Sequence, residues 1–211
     1  LDVSGNLDLD YEGQQPLVFS GANVALSGHR PTATDFGGGS KPFGEETPVT
    51  FTDGISASTT LALYRAESAS IKATHGLITT DQTDDLDLLV TGGTPNKLSW
   101  REHPKATVVA HAHWAPFGVD VSDTYGNVAA SAVTVTATPA GCAPSPQGVS
   151  AVAAESGVAT FRRFAVACTG YPGTVTVGVS APGLIATGAS SSVAVVERFE
   201  ILTDIYIHNC Y

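Results

Sequence analysis

An all-β fold of two tandem β-sandwich domains is predicted by three observations. Wherever a hydrophobic period is clear, it is two: Phe117, Val119 and Val121 alternate with Gly118 and Asp120, and Val175, Val177 and Val179 alternate with Thr176 and Gly178. Turn residues break these runs at short intervals, as in Asp123-Thr-Tyr-Gly-Asn127, Ala143-Pro-Ser-Pro146, Tyr171-Pro-Gly173 and Pro182-Gly183. The composition agrees, with 22 Gly and 12 Pro but only 14% charged residues in 211, which is rich in turns and poor in the charges that lace surface helices. That length suits one large or two ordinary domains, each able to bury a core.

Taken in order, the first half offers short strands at residues 17–19 and 24–26, a Gly-rich loop at 37–39, then strands at 49–52, 60–64 and 69–74. Residues 81–89 read as linker or strand rather than as one turn of helix. In the second half, Val133, Val135 and Ala137 alternate with threonines, residues 158–168 read as one strand, and 192–196 as another. Seven or so short strands in about 100 residues is what a sandwich requires. Acidity is lopsided: residues 1–91 carry thirteen Asp/Glu against four Lys/Arg, and residues 92–211 seven against six. A boundary at Thr91-Gly92-Gly93 explains that step and divides the chain into domains 1–91 and 92–211.

The run Pro116-Phe-Gly-Val-Asp-Val-Ser-Asp-Thr-Tyr-Gly-Asn-Val128, with Val133-Thr-Val-Thr, Ser156-Gly-Val-Ala-Thr-Phe161, Gly173-Thr-Val-Thr-Val and Ser191-Ser-Val-Ala-Val, resembles the bacterial immunoglobulin-like repeats of invasin- and intimin-type surface proteins. The resemblance covers residues 95–196. Thr47-Pro-Val-Thr-Phe-Thr-Asp-Gly-Ile55 and Leu63-Tyr-Arg-Ala-Glu-Ser-Ala-Ser-Ile-Lys-Ala-Thr-His-Gly76 look like the latter part of a second repeat. It implies two tandem immunoglobulin-like sandwiches at a cell surface. His111-Ala-His113-Trp114 departs from the family's usual small residue before that strand, and the cysteines are not a general feature of the family.

Several function classes are disfavoured. A net charge of −10 opposes a polyanion partner, because nucleic-acid binding needs clustered Lys and Arg. No stretch of eighteen apolar residues suggests a transmembrane helix, and no basic, hydrophobic leader is present. The absence of Met points to a processed or excised product. Ser, His and Asp are abundant, yet there is no Gly-x-Ser-x-Gly elbow and no activated Cys-His pattern. Gly37-Gly-Gly-Ser-Lys41 lacks the spacing of a phosphate loop. The chain is therefore expected not to be an enzyme. With no Asn-x-Ser/Thr sequon, glycosylation of that type says nothing of the milieu.

The candidate sites are modest. Among Cys142, Cys168 and Cys210, no spacing suits zinc. Cys168 ends an inward-facing strand and Cys142 lies in the loop crossing back over the same sandwich, so these two are expected to form a disulfide, in an oxidising compartment. His111 and His113, two apart on a presumed strand, would share a face and grip one transition metal, with His103 as a further ligand; the plainer reading is two strand-end histidines near an aromatic. Asp81, Asp84, Asp85 and Asp87 offer oxygens to calcium, or are a solvated acidic edge. Trp100, Trp114, Tyr125 and Tyr171 read as core or hinge rather than as a platform for sugar rings.

Both ends alternate. Leu7, Leu9 and Tyr11 at one end, and Phe199, Ile201, Ile205 and Ile207 at the other, are expected to be edge strands that complete a sheet within the chain or in a neighbour, with Cys210 placed to lock such a contact. The expected function is that of an extracellular or cell-surface structural protein, a subunit or repeat of a fibre, stalk or layer joined through strand edges to copies of itself or to other surface subunits. The alternatives are an adhesin or carbohydrate-binding module meeting a glycan or host receptor, and a non-catalytic accessory region of a secreted hydrolase.

Overall fold

The computed structural model describes residues 5–197, and among the described residues there is no helix. The fold is all-β. It divides into two compact units, one comprising Leu1–Asn96 with Ser122–Ala130, the other Lys97–Val121 with Ser131–Tyr211.

The first unit holds β1 (Gly13–Ser20), β2 (Thr32–Thr34), β3 (Ser40–Pro42), β4 (Glu46–Thr52), β5 (Ile55–Ser56), β6 (Leu61–Ala62), β7 (Glu67–His75), β8 (Ile78–Thr79) and β9 (Leu86–Val90). One sheet runs β5-β4-β1-β7-β8 with β9 also on β7, and a second runs β3-β2-β6. Phe19, Ala33, Phe43, Val49, Ala69 and Ile71 form the core, with Phe19 and Phe43 stacked at 6.0 Å. On β7, Ala69 and Ile71 alternate with exposed Ser68 and Ser70, which gives that strand one buried face.

Two expected strands are loops, each for a local reason. Residues 24–26 end in a turn in which Gly28 N–H donates to the Ala25 carbonyl and Ala25 N–H to that of His29, leaving Leu26 exposed. Residues 7–12 likewise form a turn: the Asp8 side chain accepts from Asp10 N–H and its carbonyl from Tyr11 N–H. A short acidic side chain that bonds its own backbone competes with a ladder, and here it prevails over the alternation.

The second unit holds β10 (Lys97–Glu102), β11 (Thr107–Val109), β12 (Phe117–Ser122), β13 (Thr134–Gly141), β14 (Ser145–Gly148), β15 (Ala151–Ala153), β16 (Val158–Phe161), β17 (Phe164–Ala167), β18 (Gly173–Ser180) and β19 (Val193–Val196). Its sheets run β10-β12-β16, β11-β19-β18-β13-β15 and β14-β17, with β11 parallel to β19. Val119 and Phe117 of β12 share one core with Val135 of β13, Val175 and Val177 of β18, Val195 of β19, and Phe164 and Val166 of β17. Three of its sheets therefore close on each other through a common interior.

Residues 158–168 are two strands in different sheets, not one. Phe161 and Phe164 lie three apart, so an unbroken strand would point them to opposite faces. Both are fully buried, and both rings meet Phe117, at 4.9 and 5.4 Å. Exposed Arg162 and Arg163 make the crossing between the strands.

Cys142 and Cys168 form a disulfide with a Cα–Cα distance of 5.5 Å. It ties the end of β13 to the end of β17, and Gly173 passes against it so closely that an added Cβ would lie 2.7 Å from one sulfur and 2.9 Å from the other. The bond closes a separation of 26 residues, for which chain-entropy arguments give about 3 to 4 kcal/mol. Replacing both cysteines by Ala is expected to lower the second unit's stability by about 3 kcal/mol in denaturant titration. Gly173→Ala is expected to destabilise the disulfide-bonded protein and to do so less in the cysteine-free background; equal losses in both backgrounds would show that the sulfurs do not set the constraint.

Candidate interaction surface

β7 alternates Ala69 and Ile71 toward the core with Ser68 and Ser70 away from it. Its open side carries β8 and β9 end to end: His75 pairs with Ile78 and Thr74 with Thr79, while residues 67–71 pair with 90–86. Leu88 packs on the core, opposite Ala69. Asp87 and Leu89 stand opposite Ser70 and Ser68, and together with Ala69 and Leu88 these residues line a shallow depression of about 450 Å³. Leu77 at the hairpin tip is fully exposed, and Ile78, Leu86 and Leu89 are 70%, 51% and 75% exposed. Among the described residues β9 pairs only with β7, so this edge is both apolar and open.

The expected acidic cluster borders that edge but does not act as a unit. Asp85 is nearly covered: Lys72 Nζ lies 3.3 Å from its carboxylate, and the Thr80 and Ser70 hydroxyls donate to it. Desolvation pushes its carboxyl upward, but the hydrogen bonds from Thr80 and Lys72, the Lys72 charge and Ser70 outweigh it and the net shift is downward. Asp81 caps its own turn by accepting from Gln82 N–H, and Asp87 lies on β9. No ion pair among the described residues engages Asp81, Asp84 or Asp87. No three His, Cys, Asp or Glu side chains among the described residues gather as a metal site, so the calcium reading finds no ligand set.

The paired-histidine reading fails on backbone geometry. β11 stops at Val109, and His111 sits in a turn with a φ of 59°, so the two-residue strand period does not apply to it and His113. His111 Nδ1 meets Gln147 Oε1 at 3.1 Å and its Nε2 meets the Tyr171 hydroxyl at 3.3 Å, which engages both ring nitrogens. His103 is stacked on Trp100 at 4.9 Å. Trp114 is buried against Phe164 and Phe117, which removes it from any exposed platform, and half-buried Trp100 donates to the Gly188 carbonyl. Tyr125 packs with Tyr64 and His29 in the first unit.

Among the described residues, the turn at Asp123 is a densely hydrogen-bonded polar site. Its carboxylate accepts from the N–H groups of Gly93, Tyr125 and Asn127 and from Asn127 Nδ2, each at 2.9 Å. Asn127 in turn accepts from Ala66 N–H and donates to the Tyr64 carbonyl. Burial pushes the Asp123 carboxyl up, and the bonds from Gly93, Asn127 and Tyr125 more than reverse that, leaving it below the usual carboxylate value. Both residues are buried, and every contact holds residues 122–130 within the first unit.

At the N-terminal end, Leu7 and Leu9 are exposed, while Tyr11 packs edge-on against Phe51 at 4.8 Å and shares a 2.7 Å hydrogen bond with His75 Nδ1. Phe199, Ile201, Ile205, Ile207 and Cys210 lie outside the described residues. Leu77, Ile78, Leu86 and Leu89 were not singled out from the sequence. The available signal was Leu86-Asp-Leu-Leu-Val90, where apolar residues at consecutive positions put side chains on both faces of one strand.

The sequence matches no protein family and no curated protein. Among solved structures it is similar in part to a beta-glycosidase from Bacteroides vulgatus, at 11% identity and a TM-score of 0.39 over 89% of this chain and 25% of that one. It is also similar in part to a beta-glucuronidase from Parabacteroides merdae, at 13% identity and a TM-score of 0.35 over 79% of this chain and 20% of that one. The chain spans a quarter or less of the length of either.

The Asp123 turn generates a pH-dependent expectation. A carboxyl whose folded value is depressed stabilises fully above its unfolded value, near 3.8, and that contribution drains as pH falls through the lower folded value. Asp123→Asn places an amide among donors and is expected to destabilise the first unit by about 2 to 4 kcal/mol. Its stability should also fall less steeply than that of the unsubstituted protein below pH ~4. Parallel acid limbs in denaturant titrations of the two proteins would assign the acid sensitivity to other groups.

Proposed function

We propose that the chain is an extracellular structural module, two tandem immunoglobulin-like sandwiches forming a subunit or repeat of a surface fibre, stalk or layer joined through β-strand edges. The open apolar edge along β8 and β9 carries this reading. A monomer that ends a sheet on exposed Leu86 and Leu89 leaves backbone donors and acceptors beside aliphatic side chains, which is the surface a neighbour's strand completes. The Cys142–Cys168 disulfide supports an oxidising milieu. The resemblance of residues 95–196 to invasin- and intimin-type repeats supports the surface setting.

Assembly is tested on native surface material labelled for this chain and viewed by electron microscopy. Label distributed along filaments, stalks or a continuous layer is expected. Label on discrete particles, together with saturable binding on a glycan array, would replace this reading by the adhesive one.

A further inference from the structure

We propose that the β9 edge is the acceptor for an aliphatic strand flanked by basic residues, supplied by another subunit; this deepens the edge-joining reading above and rests on it. Two faces of one strand are offered together. Leu89 stands on the face of β9 opposite to that of Leu88 and Leu86, so an added strand of alternating residues meets aliphatic surface on both sides. Charge then decides which strand fits. Asp87 lies on β9 itself, and Asp81 and Asp84 lie in the turn that leads into it. Lys72 is already committed to Asp85, so no ion pair among the described residues balances these three carboxylates.

A second copy pairing antiparallel along the same edge would bring Asp87 of each copy onto one face near its equivalent, with Asp81 and Asp84 of both copies outside the paired residues but adding to the same negative field. Like charges set opposite each other destabilise paired strands, and charges at an edge are a common device against self-pairing. The same charges attract a strand that carries Lys or Arg beside its aliphatic residues. Acidity therefore disfavours the β9–β9 contact and favours the basic partner.

The probe is a short fluorescent peptide of alternating Val and Thr with lysines at both ends, titrated into the full chain. A glutamate-ended peptide of the same core serves as the comparison, and hydrogen exchange locates binding. Saturable binding of the lysine-ended peptide is expected, with slowed exchange at residues 86–90 and weakening as salt is raised. Changing Asp84 and Asp87 together to Asn should weaken it by about tenfold, and Leu89→Lys should abolish it. All three positions are exposed, and an unchanged melting transition confirms that each variant folds. No binding, equal binding of the glutamate-ended peptide, protection elsewhere than β9, or sedimentation showing copies paired through β9 would each overturn the proposal. Peptide capture in a protein whose native material shows no fibre, stalk or layer would leave this acceptor site standing and remove the structural reading.

Discussion

The Asp123 carboxylate is the constraint from which much of the first unit's arrangement follows. Four donors converge on it, and two of them come from Asn127, whose amide also satisfies Tyr64 and Ala66. Residues 64–66, 93 and 122–130 are thus fixed by one anion and one amide, with no unsatisfied donor left at either side chain's contacts. A buried carboxylate is tolerable only when hydrogen bonds replace its lost hydration, and this one is held by charge-assisted bonds on nearly every available side. Gly92 follows from the same arrangement. A Cβ there would lie 2.0 Å from the Val128 carbonyl, so glycine is required for close approach.

Much of the fold was legible because its large apolar side chains recur at every second position. Phe117, Val119 and Val121 alternate on a single strand, and so do Val175, Val177 and Val179, and period two reports such cases directly. The break at Arg162-Arg163 was not legible, since residues 158–168 are apolar at enough positions to pass for one strand. Only the demand that Phe161 and Phe164 reach the same Phe117 ring reveals the change of sheet. Residues 7–12 misled in the opposite sense: the alternation is present, but Asp8 captures the backbone locally and turns it.

The candidate site was half legible for a related reason. Sequence shows that Asp81, Asp84, Asp85 and Asp87 are close along the chain, and closeness suggested a shared cation. Space assigns them differently, because β7 brings Lys72, Ser70 and Thr80 to Asp85 alone and the other carboxylates remain outside that contact. His111 and His113 show the same limit. Their spacing has meaning only on a strand, and the positive φ of His111 ends the strand first. The cysteines were easier, since with three thiols and two adjacent loops few pairings were available.

An edge such as β9 poses a physical conflict that its sequence resolves by division of labour. Aliphatic side chains on both faces favour any approaching strand, because burying a leucine contributes about 1.5 to 3 kcal/mol whatever the partner. Selectivity must therefore come from elsewhere, and shape offers little of it along an extended backbone. Carboxylates at Asp81, Asp84 and Asp87 supply it at small energetic scale, since each exposed charge contact is worth at most about 1 kcal/mol. Those small terms change sign with the partner's charge, whereas the apolar term does not. On the proposal above, the chain's net charge of −10 works in the same sense, drawing a basic strand toward an edge where aliphatic contact can follow.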